Sequence, residues 1–145
     1  FELKNQANET ITNSTNTSKN MVLFFYPKDM TPGCTKEACS FSEFKSQFDE
    51  LNTVIYGISK DSIASHQKFV AKNQLQLSLL SDNTGEVCEQ FGVYREKSMY
   101  GKTYLGIVRS TFFIDSNGTI QMIWDNVKVK GHVEDVYEWV KMNHV

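Results

Sequence analysis

The sequence predicts an α/β fold, a central mixed β-sheet with helices on both faces. Three observations carry the prediction. The apolar runs MVLFFY (21–26) and TVIYGIS (53–59) have the length and continuity of strands buried on both faces. Segments with apolar residues at helical spacing separate such runs. Beyond them, two strand-like runs flank Ser116-Asn117-Gly118, and an amphipathic segment closes the chain.

Taken in order, residues 5–20 are poor in apolar side chains and read as a loose hairpin with a mobile tip. MVLFFY is the first buried strand, and Pro27 bounds it. From Cys34 to Leu51 one helix is expected, since Phe41, Phe44, Phe48 and Leu51 fall on one stripe. TVIYGIS is the second strand. Asp61 or Ser62 can cap the next helix, whose apolar positions include Ile63, Phe69 and Val70. LSLL (77–80) is a third strand, followed by a short helix around Val87, Cys88 and Phe91. MYGKTYLG (99–106) reads as part of a loop. STFFID (110–115) and TIQMIW (119–124) form a hairpin, because Asn-Gly readily takes the positive φ of a tight turn. GHVEDVYEWVKM is the last helix, with Val133, Val136, Trp139 and Val140 on its apolar side.

The 145 residues fit a single domain. A net charge of −2, with 22% charged and 40% hydrophobic residues, gives no electrostatic reason for a nucleic-acid or anionic-membrane partner. No apolar run approaches the ~20 residues of a membrane span. The polar start, FELKNQANETITNSTNTSKN, lacks the basic and apolar regions of a signal peptide. Three cysteines, an odd number, suit reactive or buried thiols better than a disulfide scaffold. The expected location is cytoplasmic. Asn-x-Ser/Thr triplets begin at Asn8, Asn13, Asn16 and Asn117, and chance in an Asn- and Thr-rich chain accounts for them.

The chemistry concentrates in PKDMTPGCTKEACSF (27–41), between the end of a buried strand and the start of a helix. Ligand sites of parallel α/β sheets favour that end of the strands. Pro32 suits the start of the helix, and Cys34 falls in its first turn, where unpaired amides and the helix dipole favour a thiolate. The gain is large: a thiol near pKa 8.5 is only about 3% ionised at pH 7. Thr31 can aim a hydroxyl at whatever Cys34 binds, and Arg109, just before a later strand, can supply a cation at the same sheet end. Cys39 lies five residues beyond Cys34. Thr35, Lys36, Glu37 and Ser40 read as a polar surface that allows the turn to open. Cys88, beside Val87 and Phe91, reads as buried filler, and His132 is given no catalytic role.

Other readings of the cysteines stay open on the residues alone. A zinc site tolerates C-x4-C but lacks a second Cys/His pair, because Cys88 is isolated and His66, His132 and His144 are scattered. A dithiol-disulfide oxidoreductase prefers C-x-x-C. A redox-regulated chaperone or binding module could carry the same two thiols.

PKDMTPGC resembles the P-x-x-x-T-x-x-C signature of peroxiredoxins, with Pro27, Thr31 and Cys34 in register, and VRSTFFID resembles the strand that carries their active-site arginine, here Arg109. Cys39, GISKDS, LLSD, EKSMYGKTYLGI and VKGHVEDV are similar to the bacterioferritin comigratory protein (Q-type) branch, an atypical 2-Cys group. The similarity runs from about Val22 to Val136. The chain begins at FELK without that branch's usual Ala-Pro-Asp lead, which leaves the chemistry untouched. The resemblance implies a thioredoxin-like fold and a thiol peroxidase with no metal, flavin or other cofactor. It implies that Cys34 is the peroxidatic cysteine, that Thr31 and Arg109 hold and polarise the peroxide, and that Pro27 shields the thiolate. Cys39 would be the resolving cysteine, thioredoxin or a similar dithiol the reductant, and the working unit a monomer.

Overall fold

The computed structural model describes residues 1–143, so His144 lies outside the described residues. Its elements are β1 (Glu2–Asn5), β2 (Thr10–Thr12), β3 (Asn20–Phe25), α1 (Pro32–Glu43), α2 (Lys45–Glu50), β4 (Thr53–Ser59) and α3 (Ile63–Asn73). They continue as β5 (Ser78–Ser81), α4 (Glu86–Gln90), β6 (Tyr94–Met99), β7 (Lys102–Ile107), β8 (Ser110–Ile114), β9 (Ile120–Trp124) and α5 (His132–Asn143). Seven of these strands form one sheet in the order β2-β1-β5-β4-β3-β8-β9. Within it β3, β4 and β5 run parallel, while β1, β2, β8 and β9 join antiparallel. The architecture is the mixed α/β sheet that the sequence predicts. Among the described residues no helix is long and apolar enough to cross a membrane.

β3 lies in the interior of the sheet and all six of its residues are buried, which is why its sequence is a continuous apolar run. Alternation still sorts its side chains. Val22 and Phe24, with Tyr26 beyond the strand end, join Ala38, Phe41, Phe48, Phe69, Val133 and Val136 in one core. Met21, Leu23 and Phe25 meet Tyr56, Ile58, Leu80, Cys88 and Phe112 on the other face. Phe24 stacks on Phe41 of α1 with ring centroids 4.5 Å apart. Gly57 of β4 makes room for that stack, since a Cβ there would sit 2.7 Å from Phe24 Cζ and 2.8 Å from Leu79 Cδ2. Burying a side chain like Phe41 is worth roughly 1.5–3 kcal/mol, and here it clamps α1 against the sheet.

Three expectations need correction. The N-terminal hairpin is β1–β2, beginning at Glu2, and it is built into the sheet, since β1 pairs with β5. Gln6 reinforces the join: its Nε2 donates to the Leu77 carbonyl and its Oε1 accepts from the Leu79 amide, both at 2.9 Å. The helix expected from Cys34 to Leu51 starts at Pro32 and is interrupted at Phe44 (φ −88°, ψ 0°). The Phe48 amide still donates to the Phe44 carbonyl at 3.0 Å, so the aromatic stripe runs across the break. Finally, MYGKTYLG belongs to the β6–β7 hairpin, turned by Tyr100 (φ 52°) and Gly101 (φ 78°) as a two-residue loop with both φ positive. Few side chains of this ribbon are buried, so the buried-face alternation that betrays a strand is absent.

Candidate active site

β3 ends at Phe25, residues 26–31 cross the carboxyl end of the parallel strands, and Pro32 opens α1. Thr31 takes the N-cap position in an extended conformation (φ −79°, ψ 152°), but its side chain makes no capping bond. Instead its Oγ1 donates to the Lys28 carbonyl at 2.8 Å, which tightens the loop. The expected hydroxyl is therefore present beside the first turn, with its proton used internally and its lone pairs free to accept one. Met30, just before it, sits at φ 69°, a left-handed conformation that a non-glycine residue adopts only where its surroundings impose it.

Cys34 is 1% exposed and packs in the core cluster with Tyr26 and Phe41. Arg109 reaches it from the residue just before β8, which pairs antiparallel with β3. Its Nη2 lies 3.4 Å from Cys34 Sγ, across 75 residues of sequence. Gly33 clears the approach, because a Cβ there would be 3.2 Å from the same Nη2. Pro27 and Arg109 line one open groove of about 540 Å³ with Val108, Val127 and Lys97. Lys97 donates to the Ile107 carbonyl at 2.9 Å, and burial with the nearby Arg109 charge lowers its pKa.

One member of the site escaped the sequence reading. Glu37, read as part of a polar surface, is fully buried, and its Oε1 accepts from Arg109 Nη1 at 2.7 Å. Its other oxygen, Oε2, has no hydrogen-bond partner among the described residues. Burial outweighs the guanidinium and raises the Glu37 carboxyl to about 7. Burial works against the Arg109 charge too, yet Glu37 and Cys34 together hold its pKa above the ordinary value. The legible signal was the three-residue step from Cys34 to Glu37 along one helix face, which aims both side chains toward one cation.

Cys39 is in the same helix as Cys34, half-buried, and both thiols are free. Burial and Glu43 raise its pKa. It lines a second groove, about 830 Å³, with Pro32, Lys36, Ser40, Val129 and Lys130. The structure thus brings Pro27, Thr31, Cys34 and Arg109 to one sheet end and leaves Cys39 on an adjacent surface. Cys88 is fully buried on α4, whose amides at Val87 and Cys88 are capped by Asp82 at 3.3 and 2.8 Å. Burial and Asp82 push its thiol far up, the environment of an inert cysteine. His132 is also buried; Thr111 Oγ1 lies 2.7 Å from its Nε2, and burial lowers it to about 4.

A buried thiol faces a guanidinium at the carboxyl end of a thioredoxin-like sheet, and comparisons with known proteins give the class, a peroxidase. Residues 1–123 match the model of the AhpC/TSA family. The chain is 46% identical over 141 residues to peroxiredoxin Bcp of Bacillus subtilis, spanning 97% of this chain and 90% of that protein. Peroxiredoxin Q of Xanthomonas campestris superposes with a TM-score of 0.95 at 38% identity, covering 100% of this chain and 92% of that one. A trapped intermediate/ligand complex of the Xanthomonas campestris bacterioferritin comigratory protein, described for its alkyl peroxide reduction activity, also gives 0.95, at 37% identity and the same coverage. The chain belongs to the AhpC/TSA family and, within it, to the Bcp or Q-type peroxiredoxins. It is a peroxidase of the oxidoreductase class.

Proposed function

We propose that this peroxiredoxin reduces hydrogen peroxide and organic hydroperoxides with Cys34 as the attacking thiolate and Cys39 as the resolving thiol. The observation that carries the reading is the 3.4 Å contact between Arg109 and the buried Cys34 Sγ, with Glu37 holding the other side of the same guanidinium. In the first step an S–O bond forms as the O–O bond breaks. Sulfur is oxidised to a sulfenic acid, and the electron pair of the broken bond stays on the leaving oxygen, which then takes a proton to become water or an alcohol. Arg109 stabilises that developing charge, and Thr31 Oγ1 accepts a hydrogen bond from the peroxide. Pro27, Val108 and Val127 are the apolar surface offered to an organic tail in a groove lined otherwise by polar and charged side chains.

In the second step Cys39 sulfur displaces the hydroxyl from Cys34, forming a disulfide and releasing water. An external dithiol, thioredoxin or one like it, returns the pair to thiols by exchange. Both cysteines are on one chain, so the cycle needs no second copy, and a monomer in the cytoplasm is the simplest working unit. The test is peroxide consumption with a dithiol reductant. Cys34→Ser should abolish it. Cys39→Ser should still form a sulfenic acid, trapped by a 1,3-diketone, while losing most thioredoxin-coupled turnover. Cys88→Ser should stay near the wild-type rate, and equal loss in all three would overturn the assignment.

A further inference from the structure

Behind the loop that carries Thr31 lies a closed polar network, buried next to the catalytic pocket and not used in the steps above. Its hub is Asp29, 4% exposed, whose carboxylate accepts from Tyr26 Oη at 2.6 Å, Ser65 Oγ at 2.8 Å and His66 Nδ1 at 2.7 Å. The Asp29 amide donates to Asp61 Oδ2 at 2.8 Å, and Ser59 Oγ donates to the same oxygen at 2.7 Å. His66, fully buried on α3, places its other nitrogen, Nε2, 3.1 Å from the Leu80 carbonyl of β5. A carbonyl can only accept, and Asp29 already receives hydroxyl donors on both of its oxygens. His66 thus bridges the Asp29 carboxylate and the Leu80 carbonyl across the core.

We infer that the Asp29–His66 pair is a positioning device for the peroxidatic loop, fixing residues 26–31 so that Thr31 and the first turn of α1 present Cys34 correctly to peroxide. This rests on the reading of Cys34 as the reacting thiol. The geometry is specific. Tyr26 and Asp29 close the loop on themselves, the Asp29 amide is tied to Asp61 ahead of α3, and Thr31 is tied back to Lys28. The left-handed Met30 follows Asp29 directly, so the pair holds the strained residue from one side while Thr31 and Pro32 hold it from the other. A buried hydrogen-bonded pair suits this role because neither partner can leave without stranding the other's polar atoms in the core. The ligand-type atoms of Asp29, Asp61 and His66 lie within 4.8 Å of one another, but they are already paired within the network.

Asp29→Asn in the full chain tests it, since asparagine keeps the shape and the acceptor for Tyr26 while replacing the oxygen that faces Ser65 and His66 with an amide nitrogen. Oxidation of reduced protein by hydrogen peroxide is followed by stopped flow, with the Cys34 thiolate fraction read separately from its ultraviolet absorbance. At equal thiolate fraction the variant should react about 10-fold slower or worse, the scale of loss for a small misplacement of reacting groups. Ser65→Ala, which removes one donor and leaves the pair intact, should stay within twofold of wild type. Asp29→Asn within twofold of wild type, or Ser65→Ala slowed as much as Asp29→Asn, would overturn the inference. If Asp29→Asn does not fold, His66→Asn is measured in the same way: it should be slowed about as much, and a rate within twofold of wild type would overturn the inference. Retention of peroxidase activity by Cys34→Ser would instead refute the underlying function, whatever the Asp29 variant does.

Discussion

Glu37 makes a quantitative prediction about stability. In the unfolded chain its carboxyl titrates near 4.5, and in the fold burial raises it to about 7. The native state thus holds this proton more tightly, and at about 1.4 kcal/mol per pH unit the difference amounts to about 3 kcal/mol. The sign follows from linkage. The contribution is fully present below pH 4.5 and is lost as pH rises through 7, where the fold must keep a carboxylate whose Oε2 has no partner. Glu37→Gln removes the titration and keeps an acceptor for Arg109. Variant and wild type should match closely at pH 4, and the variant should be more stable by about 3 kcal/mol at pH 8. Urea denaturation of both proteins, kept reduced with a phosphine and followed by tryptophan fluorescence, gives the difference. Every other titrating group is common to the two, so it cancels to first order. A pH-dependent difference below about 1 kcal/mol, or one of opposite sign, would refute the reasoning.

Arg109→Met should slow Cys34 oxidation by roughly 10²-fold or more, and Arg109→Lys should recover only part, because an ammonium cannot serve Glu37 and Cys34 through one planar fork; stopped-flow rates across pH check both, and an unchanged methionine variant would remove Arg109 from the reaction. On an intact helix residues five apart have Cα atoms about 8.7 Å from each other, beyond the roughly 7 Å that a disulfide tolerates. Because α1 contains both Cys34 and Cys39, oxidation should unwind residues 34 to about 42. Hydrogen exchange should show those amides losing protection in peroxide-treated protein, and equal protection with the disulfide confirmed by mass would sink the idea.

Where a segment's own side chains decide its structure, the sequence is a good guide. β3 and β4 are apolar because both sheet faces are covered, and Ser62 caps α3 through its hydroxyl, accepting from the Ser65 amide at 3.1 Å. Cys34 and its turn are legible for the same reason, since proline, threonine and glycine act locally. What escapes is set by distant partners. Glu37 looks like a solvent-facing residue until a guanidinium 72 positions away pairs with it. Asp29 and His66, 37 apart, look like surface groups and form a buried pair. The β6–β7 ribbon is held by backbone pairing that leaves little periodicity behind. Arg109 is an intermediate case, placed by its position ahead of a strand and by family resemblance, with its contact supplied by the antiparallel pairing of β8 with β3.

That pairing has a consequence for the life of the chain during synthesis. Cys34 leaves the ribosome long before Arg109, and the two meet only when β8 has docked beside β3, 75 residues later. Until then the thiol has an immature helix turn beside it and no guanidinium. Under the roles proposed for Cys34 and Arg109, a half-made chain lacks the cation that would stabilise the leaving oxygen of a peroxide. On that proposal, reactivity toward peroxide arrives together with the completed sheet.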